Sequence, residues 1–171
     1  MKKLLVATIA AALSIPFVLG AAPKAQIERV KGAPSSPILS GVVVPAGATL
    51  VYLSGQVPQA LDAGKSGGKP AESIEAYGDT KTQAVSVFNK IKTLLADQGL
   101  GLGDVVKLSV YLVGDPKLGG KLDFKGFSEA YAQFFGTKEQ PNLVARTTVQ
   151  VAALANPGFL VEIEATAAKA Q

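Results

Sequence analysis

Strict two-residue alternation is the feature that most limits what this chain can fold into. From Asp104 to Val113, the apolar Val106, Leu108, Val110 and Leu112 alternate with Lys107, Ser109 and Tyr111. From Val161 to Ala165, the apolar Val161, Ile163 and Ala165 alternate with Glu162 and Glu164. Successive side chains of a strand point to opposite faces, so each stretch is a strand with one dry face and one polar face. Strands of this kind must bury their dry face against another layer.

Helical periodicity supplies that cover. Asp79 or Thr80 is a sound N-cap for a helix running to Gln98, with Ala84, Val87, Phe88, Ile91, Leu94 and Leu95 on one stripe and Gly99 as its stop. A second helix runs from about Phe124 to Phe135 behind Asp123 and is closed by Gly136. Its stripe of Phe124, Phe127, Tyr131 and Phe134 has core spacing, with the lining of a ligand pocket as the functional alternative. Upstream, Ile27–Val30, Ile38–Val44 and Leu50–Leu53 read as strands, the last two pairing as a hairpin across Pro45-Ala46-Gly47. Gln59 to Glu75 reads as a surface loop, with a lid or an interface arm as the alternative. Pro141 to Ala167 reads as two strands joined at Asn156-Pro157-Gly158, where the proline biases the preceding residue to extended backbone and the glycine supplies a positive φ. The sum is an α+β fold: a mixed sheet with two helices on one face. Its other face needs burial, and a symmetric oligomer is the simplest way to provide it.

Composition narrows the chemistry. The chain has 171 residues, 48% of them hydrophobic, enough for one core and a single domain. Cysteine and histidine are both absent. That removes disulfides, thiolate nucleophiles, every Ser-His or Cys-His arrangement and the imidazole ligands of most catalytic zinc sites. No metal site is expected, and the work falls to Arg, Lys, Asp, Glu, Tyr, hydroxyls and backbone groups.

The first residues have the pattern of a secretory signal: Lys2-Lys3, an apolar run from Leu4 to Leu13, a break at Pro16 and small residues from Gly20 to Ala22. The expected organisation is a signal over 1–22, a leader and loop over 23–36, and one α+β domain over 37–168. Loss of the signal leaves 15 basic residues against 13 acidic, a mildly basic surface with no reason to bind nucleic acid. No lipidation cysteine follows, so the mature protein is expected free of the membrane, secreted or periplasmic.

Arg146 is one of only two arginines. A guanidinium grips a carboxylate in two places, and a nearby glutamate can hold and polarise a water. Arg146 lies on the first strand of the C-terminal pair and Glu162 and Glu164 on the second, where the chain can bring them together. The residues alone do not separate the two glutamates, and an arginine in a structural ion pair is the alternative reading.

Four pieces in order resemble the Rid family, also called the YjgF/YER057c/UK114 family of enamine and imine deaminases. They are the segment Val51 to Pro58, the strand with its lead-in from Gly103 to Leu112, Tyr131-Ala132-Gln133-Phe134-Phe135, and Ala145 to Val151 with Val161 to Ala165. The resemblance implies a chorismate-mutase-like α+β fold, a homotrimer with clefts between subunits, and cofactor-independent hydrolysis of 2-enamine and 2-imine acids to 2-keto acids and ammonia. It places Arg146 on the substrate-binding arginine, Glu162 on the glutamate that positions water, and Gly55 in the motif lining the cleft. Leu39 stands where the family's deaminases commonly carry a tyrosine, Ser128 where they often carry an asparagine, and Thr148 where a cysteine or small hydroxyl residue is found. The alternatives are a periplasmic trimer that binds small carboxylates without converting them and a holdase-like protein. Ribonuclease activity ranks last, because histidine and a basic stripe are both missing.

Overall fold

The computed structural model describes residues 25–62 and 71–170. The expected signal and part of the Gln59–Glu75 loop lie outside the described residues. Six strands and two helices follow in the order β1 Glu28–Lys31, β2 Leu39–Val43, β3 Thr49–Gln56, α1 Thr80–Ala96, β4 Val105–Val113, α2 Phe124–Tyr131, β5 Ala145–Val151 and β6 Val161–Lys169.

The helices form where their caps and stripes dictate. Asp79 caps α1 by accepting from the Thr82 amide, and Asp123 caps α2 by accepting from the Gly126 amide. Gly99, at φ +67°, lets the chain leave α1. The α2 helix is shorter than the stripe predicts. After Tyr131 the backbone continues in turns to Gly136, and Phe134 and Phe135 reach the core from those turns.

The sheet order is β1-β2-β5-β4-β6-β3. β4 pairs with β5 in parallel and with β6 antiparallel, so it separates the two C-terminal strands. They form no hairpin. Gly158 is not at positive φ either. A side chain there would meet the Ser73 carbonyl and the Tyr77 ring, each at 2.7 Å, so close packing is what demands a glycine. The predicted β2–β3 hairpin is also absent: β2 pairs with β1 and β5, while β3 pairs with β6 at the far edge. A short Pro/Gly turn permits a hairpin, but parallel pairing of β2 with β5 takes that strand to the other side of the sheet.

Both helices cover one face. Val87, Phe88 and Ile91 of α1 and Phe127 and Ala130 of α2 are buried against Leu108, Val110 and Leu112 of β4 and Val161 and Ile163 of β6. Two polar residues fasten this layer. Gln83, fully buried, donates to the carbonyls of Gly78 and Gly158 and accepts from the Leu160 amide. Arg29 donates to the carbonyls of Gly103, Val105 and Leu143, tying β1 to the start of β4 and the approach to β5.

Among the described residues, nothing covers the opposite face. Its rows run Tyr52, Thr166, Lys107, then Glu164, Ser109, Thr147, then Glu162, Tyr111, Val149. Tyr52 is 72% exposed. The Lys107 ammonium donates to Thr147 and the Tyr111 hydroxyl to Glu164. That hydrogen bond and the adjacent carboxylate charge raise the Tyr111 pKa.

Candidate functional site

Arg146 sits opposite Leu108 on β5, which turns its side chain to the helix-covered face. There it meets α2. The guanidinium carbon lies 4.4 Å from the Tyr131 ring centroid, 5.1 Å from Phe127 and 5.8 Å from Phe124. The aromatic stripe is therefore both core and cage, holding a desolvated cation by its ring faces. Burial lowers the Arg146 pKa, with the neighbouring Tyr131 acting the other way. An arginine stays charged under such a shift.

What this cation lacks is a hydrogen-bond acceptor. Among the described residues, Nη1 of Arg146, the Tyr131 hydroxyl and Oγ1 of Thr148 are buried without a hydrogen bond of good geometry; Thr80 Oγ1 is the other such atom. Thr148 follows Arg146 by two residues, opposite Val110, and so shares its face. Burial raises the Tyr131 pKa, outweighing the Arg146 charge and the Val144 backbone amide, so the hydroxyl stays protonated and can donate. A buried unsatisfied polar group costs about 1–3 kcal/mol. Two of them, on Arg146 and Tyr131, border one cleft and point to an oxygen-rich ligand there; Thr148 does not line it.

The space for one adjoins the cluster. A cleft of about 410 Å³ is lined by Arg146, Tyr131, Ser128 and Phe135 on one side and by Pro37 and Leu143 on the other. Ser128 and Arg146 line the same cleft. Leu39 does not line this cleft. It is buried, at 6% exposure, and faces an adjoining cleft of about 420 Å³ that also borders Arg29 and Lys31.

Glu162 occupies a different surface. It pairs with Tyr111 and points to the uncovered face, beyond β4 from Arg146. The idea that consecutive strands bring the two together is overturned, because β4 lies between them and the residues take opposite faces. Gly55 is beside Glu162. Ser54 and Gly55 bulge opposite the single Glu164, and a methyl on Gly55 would lie 1.9 Å from Glu162 Oε1. The missing side chain is what lets the Glu162 carboxylate lie over β3.

Sequence reasoning missed Tyr131 and Phe127 as partners of Arg146. The spacing of the stripe was visible, but which strand ran beneath it was not.

The family model described as endoribonuclease L-PSP matches residues 39–169. The chain belongs to the Rid (YjgF/YER057c/UK114) family. It is 38% identical over 131 residues to the protein DfrA of Myxococcus xanthus, covering 77% of this chain and 84% of DfrA. It is 30% identical over 144 residues to TdcF of Escherichia coli K12, covering 84% and 95% of the two chains. Among solved structures, the Rid family protein YyfB of Yersinia pestis superposes with a TM-score of 0.63 at 25% identity, covering 84% of this chain and 98% of that one. The structure of E. coli TdcF with bound serine superposes with a TM-score of 0.53 at 32% identity, covering 86% and 100%. The mixed sheet with two helices is the fold of this Rid family.

Proposed function

We propose that this Rid protein is an exported, cofactor-independent deaminase that hydrolyses 2-enamine and 2-imine acids to 2-keto acids and ammonia at clefts between the subunits of a homotrimer. The observation that carries the reading is the buried, caged guanidinium of Arg146 with no acceptor of its own. A substrate carboxylate supplies the acceptor and accepts from the Tyr131 hydroxyl as well. TdcF, whose own name marks it as a candidate reactive intermediate deaminase, binds serine in its crystal structure, and an amino-acid carboxylate fits the same demand.

Arg146 binds the carboxylate and fixes the imine carbon beside a water held by Glu162. The water oxygen bonds to that carbon while one of its protons passes to Glu162, which delivers it to the imine nitrogen. The resulting carbinolamine then breaks its C–N bond, releasing ammonia and leaving the keto acid. Positioning and proton transfer carry the rate, the latter contributing about 10² to 10⁴-fold.

Arg146 and Glu162 face opposite sides of one sheet, so the pair serving one substrate comes from two neighbouring copies. The uncovered face that bears Glu162, with Tyr52 and Val149 exposed on it, is the surface those copies share. The test is complementation. Arg146→Ala and Glu162→Gln, each inactive alone, regain keto-acid release when refolded together, because mixed trimers contain some intact clefts. No recovery from mixtures shown to exchange subunits rejects the shared site. Export rests on the Lys2-Lys3 and Leu4–Leu13 pattern, and recovery of the full-length protein from the cytoplasm alone rejects it.

A second reading is a trimer that binds small carboxylates and leaves them intact. It draws support from the placement of Glu162, which nothing within one chain brings to the Arg146 cleft. Unchanged ligand after long incubation with active-site-saturated protein decides for it.

A further inference from the structure

The Arg29 guanidinium directs its hydrogen bonds at backbone carbonyls. Nη1 donates to Val105 at 3.0 Å and to Leu143 at 2.6 Å, and Nη2 donates to Gly103 at 2.7 Å. The Leu143 carbonyl and the Val144 amide are the two ends of one trans peptide, so they point to opposite sides of the chain. Arg29 grips the carbonyl end, and the amide end faces the Tyr131 oxygen. The next carbonyl, that of Val144, accepts from the Leu39 amide. This stretch of backbone is therefore fixed from two directions. Tyr131 is fixed as well: it is 2% exposed, and Phe135 stacks on its ring at 4.9 Å. A phenol oxygen approached by an amide on one side must turn its own proton elsewhere. Within the chain that hydroxyl finds no hydrogen bond of good geometry, and Tyr131 lines the cleft of Arg146.

Resting on the carboxylate-binding role proposed for Arg146 and Tyr131, we infer that Arg29 is a positioning residue for the substrate: through the Leu143–Val144 peptide it turns the Tyr131 hydroxyl proton into the cleft, towards the carboxylate that Arg146 holds. Charge reinforces the geometry. A cation at the carbonyl end of a peptide polarises it and makes its N–H a stronger donor, and hydrogen bonds in such a chain strengthen one another. Burial raises the Tyr131 pKa, and the Arg146 charge, the Val144 amide and the Arg29 charge all act against that rise. The same groups that oppose burial make the hydroxyl a better donor. Arg29, Leu143, Val144 and Tyr131 belong to one chain, so the relay operates whatever surface a neighbouring copy adds to the cleft.

A double-mutant cycle tests this: pyruvate affinity by NMR titration of wild type, Arg29→Gln, Tyr131→Phe and the double variant, alongside turnover of the imine made in situ from alanine by an amino-acid oxidase. Tyr131→Phe removes a hydrogen bond to a charged group and should weaken pyruvate binding by roughly 10- to 100-fold. Arg29→Gln leaves the hydroxyl but frees its orientation, and should weaken binding about fivefold or more in wild type and less than about twofold in Tyr131→Phe. In imine hydrolysis the loss should fall on KM, with kcat within about threefold, because the carboxylate contact is the same in ground and transition states. Circular dichroism checks the fold; if Arg29→Gln does not fold, Arg29→Lys, which lacks the three-pronged grip, takes its place in the cycle with the same result required. A loss from the Arg29 variant that is equal with and without the Tyr131 hydroxyl overturns the inference, since a merely structural role gives that result. So does wild-type affinity in Tyr131→Phe when Arg146→Ala abolishes binding, an outcome that leaves the carboxylate-binding reading standing. Binding that is absent, or indifferent to Arg146→Ala, defeats that reading and the inference with it. Coupled losses of binding without acceleration of the imine support the inference and defeat the deaminase reading alone.

Discussion

Replacing Gly55 by alanine should disable Glu162 without touching the rest of the site. The new methyl would start 1.9 Å from Oε1, 2.7 Å from Cδ and 3.0 Å from Cγ of Glu162. Non-bonded carbon contacts settle near about 3.5 Å, so the carboxylate must retreat by roughly 1.5 Å. Every clashing atom belongs to a flexible side chain, and the backbone stays in place. The displaced rotamer costs about 0.5–1.5 kcal/mol, while alanine in a strand regains about 0.5–1 kcal/mol relative to glycine. The net change is within about 1 kcal/mol, and the melting temperature should move by less than about 4 °C. A catalytic group misplaced by about 1 Å loses on the order of 10²-fold in rate, so kcat should fall about a hundredfold. KM should stay within about threefold of wild type, because Arg146 lies on the other face of the sheet and its binding energy is untouched. Keto-acid release from imines generated in situ gives both constants, and scanning fluorimetry gives the melting temperature. The decisive comparison is the double variant. If Gly55→Ala acts through Glu162, then adding it to Glu162→Gln costs little more. A kcat within about threefold of wild type in a folded Gly55→Ala protein, or two effects that simply multiply, refutes the reasoning.

Arg146→Ala should remove two charge-assisted hydrogen bonds to the ligand and weaken keto-acid binding by about 3–5 kcal/mol, on the order of 10²- to 10⁴-fold, with the molar mass by light scattering unchanged from wild type. Glu162→Gln should leave that binding in place and slow hydrolysis by about 10²- to 10⁴-fold; weakened binding would argue against its water-holding role. Gln83→Ala strands two carbonyls and the Leu160 amide in the interior and should lower stability by about 3 kcal/mol in urea unfolding. Glu129, exposed between Lys125 and Lys81, has its pKa held down to about 2 by the hydrogen bond from Lys125 first and that from Lys81 next. Its lowered folded pKa means the contribution is present above the unfolded value near 4.5 and is lost as pH falls towards about 2. Thermal melts of Glu129→Gln should thus differ from wild type at neutral pH in low salt and converge at pH 2; a difference that persists there, or that salt does not shrink, would contradict this account.

The elements with strong local signals were legible. Alternation at Val105–Val113 and Val161–Ala165 gave strands whose buried faces are those of the structure, and Asp79, Asp123 and Gly99 cap and close helices where expected. Arg146 and Ser128 were singled out through the family resemblance, and both line one cleft. The cage around Arg146 was not, because a residue's partners across a sheet depend on strand order. Nor was the role of Arg29, the other arginine, which closes the fold by three bonds to backbone carbonyls that carry no sequence signature.

Sequence by itself determined which segments are strands and helices, which side of each is dry, and which chemistry is available to a chain without cysteine or histidine. Those are local properties, written in the periods of side-chain projection and in residue type. Tertiary structure decided that β4 inserts between β5 and β6, that the register sends Arg146 and Glu162 to opposite faces, and that unsatisfied polar atoms of Arg146 and Tyr131 border one cleft. The reason is that strand order is fixed by the combined burial of the whole sheet against both helices, a non-local balance that no window of sequence contains.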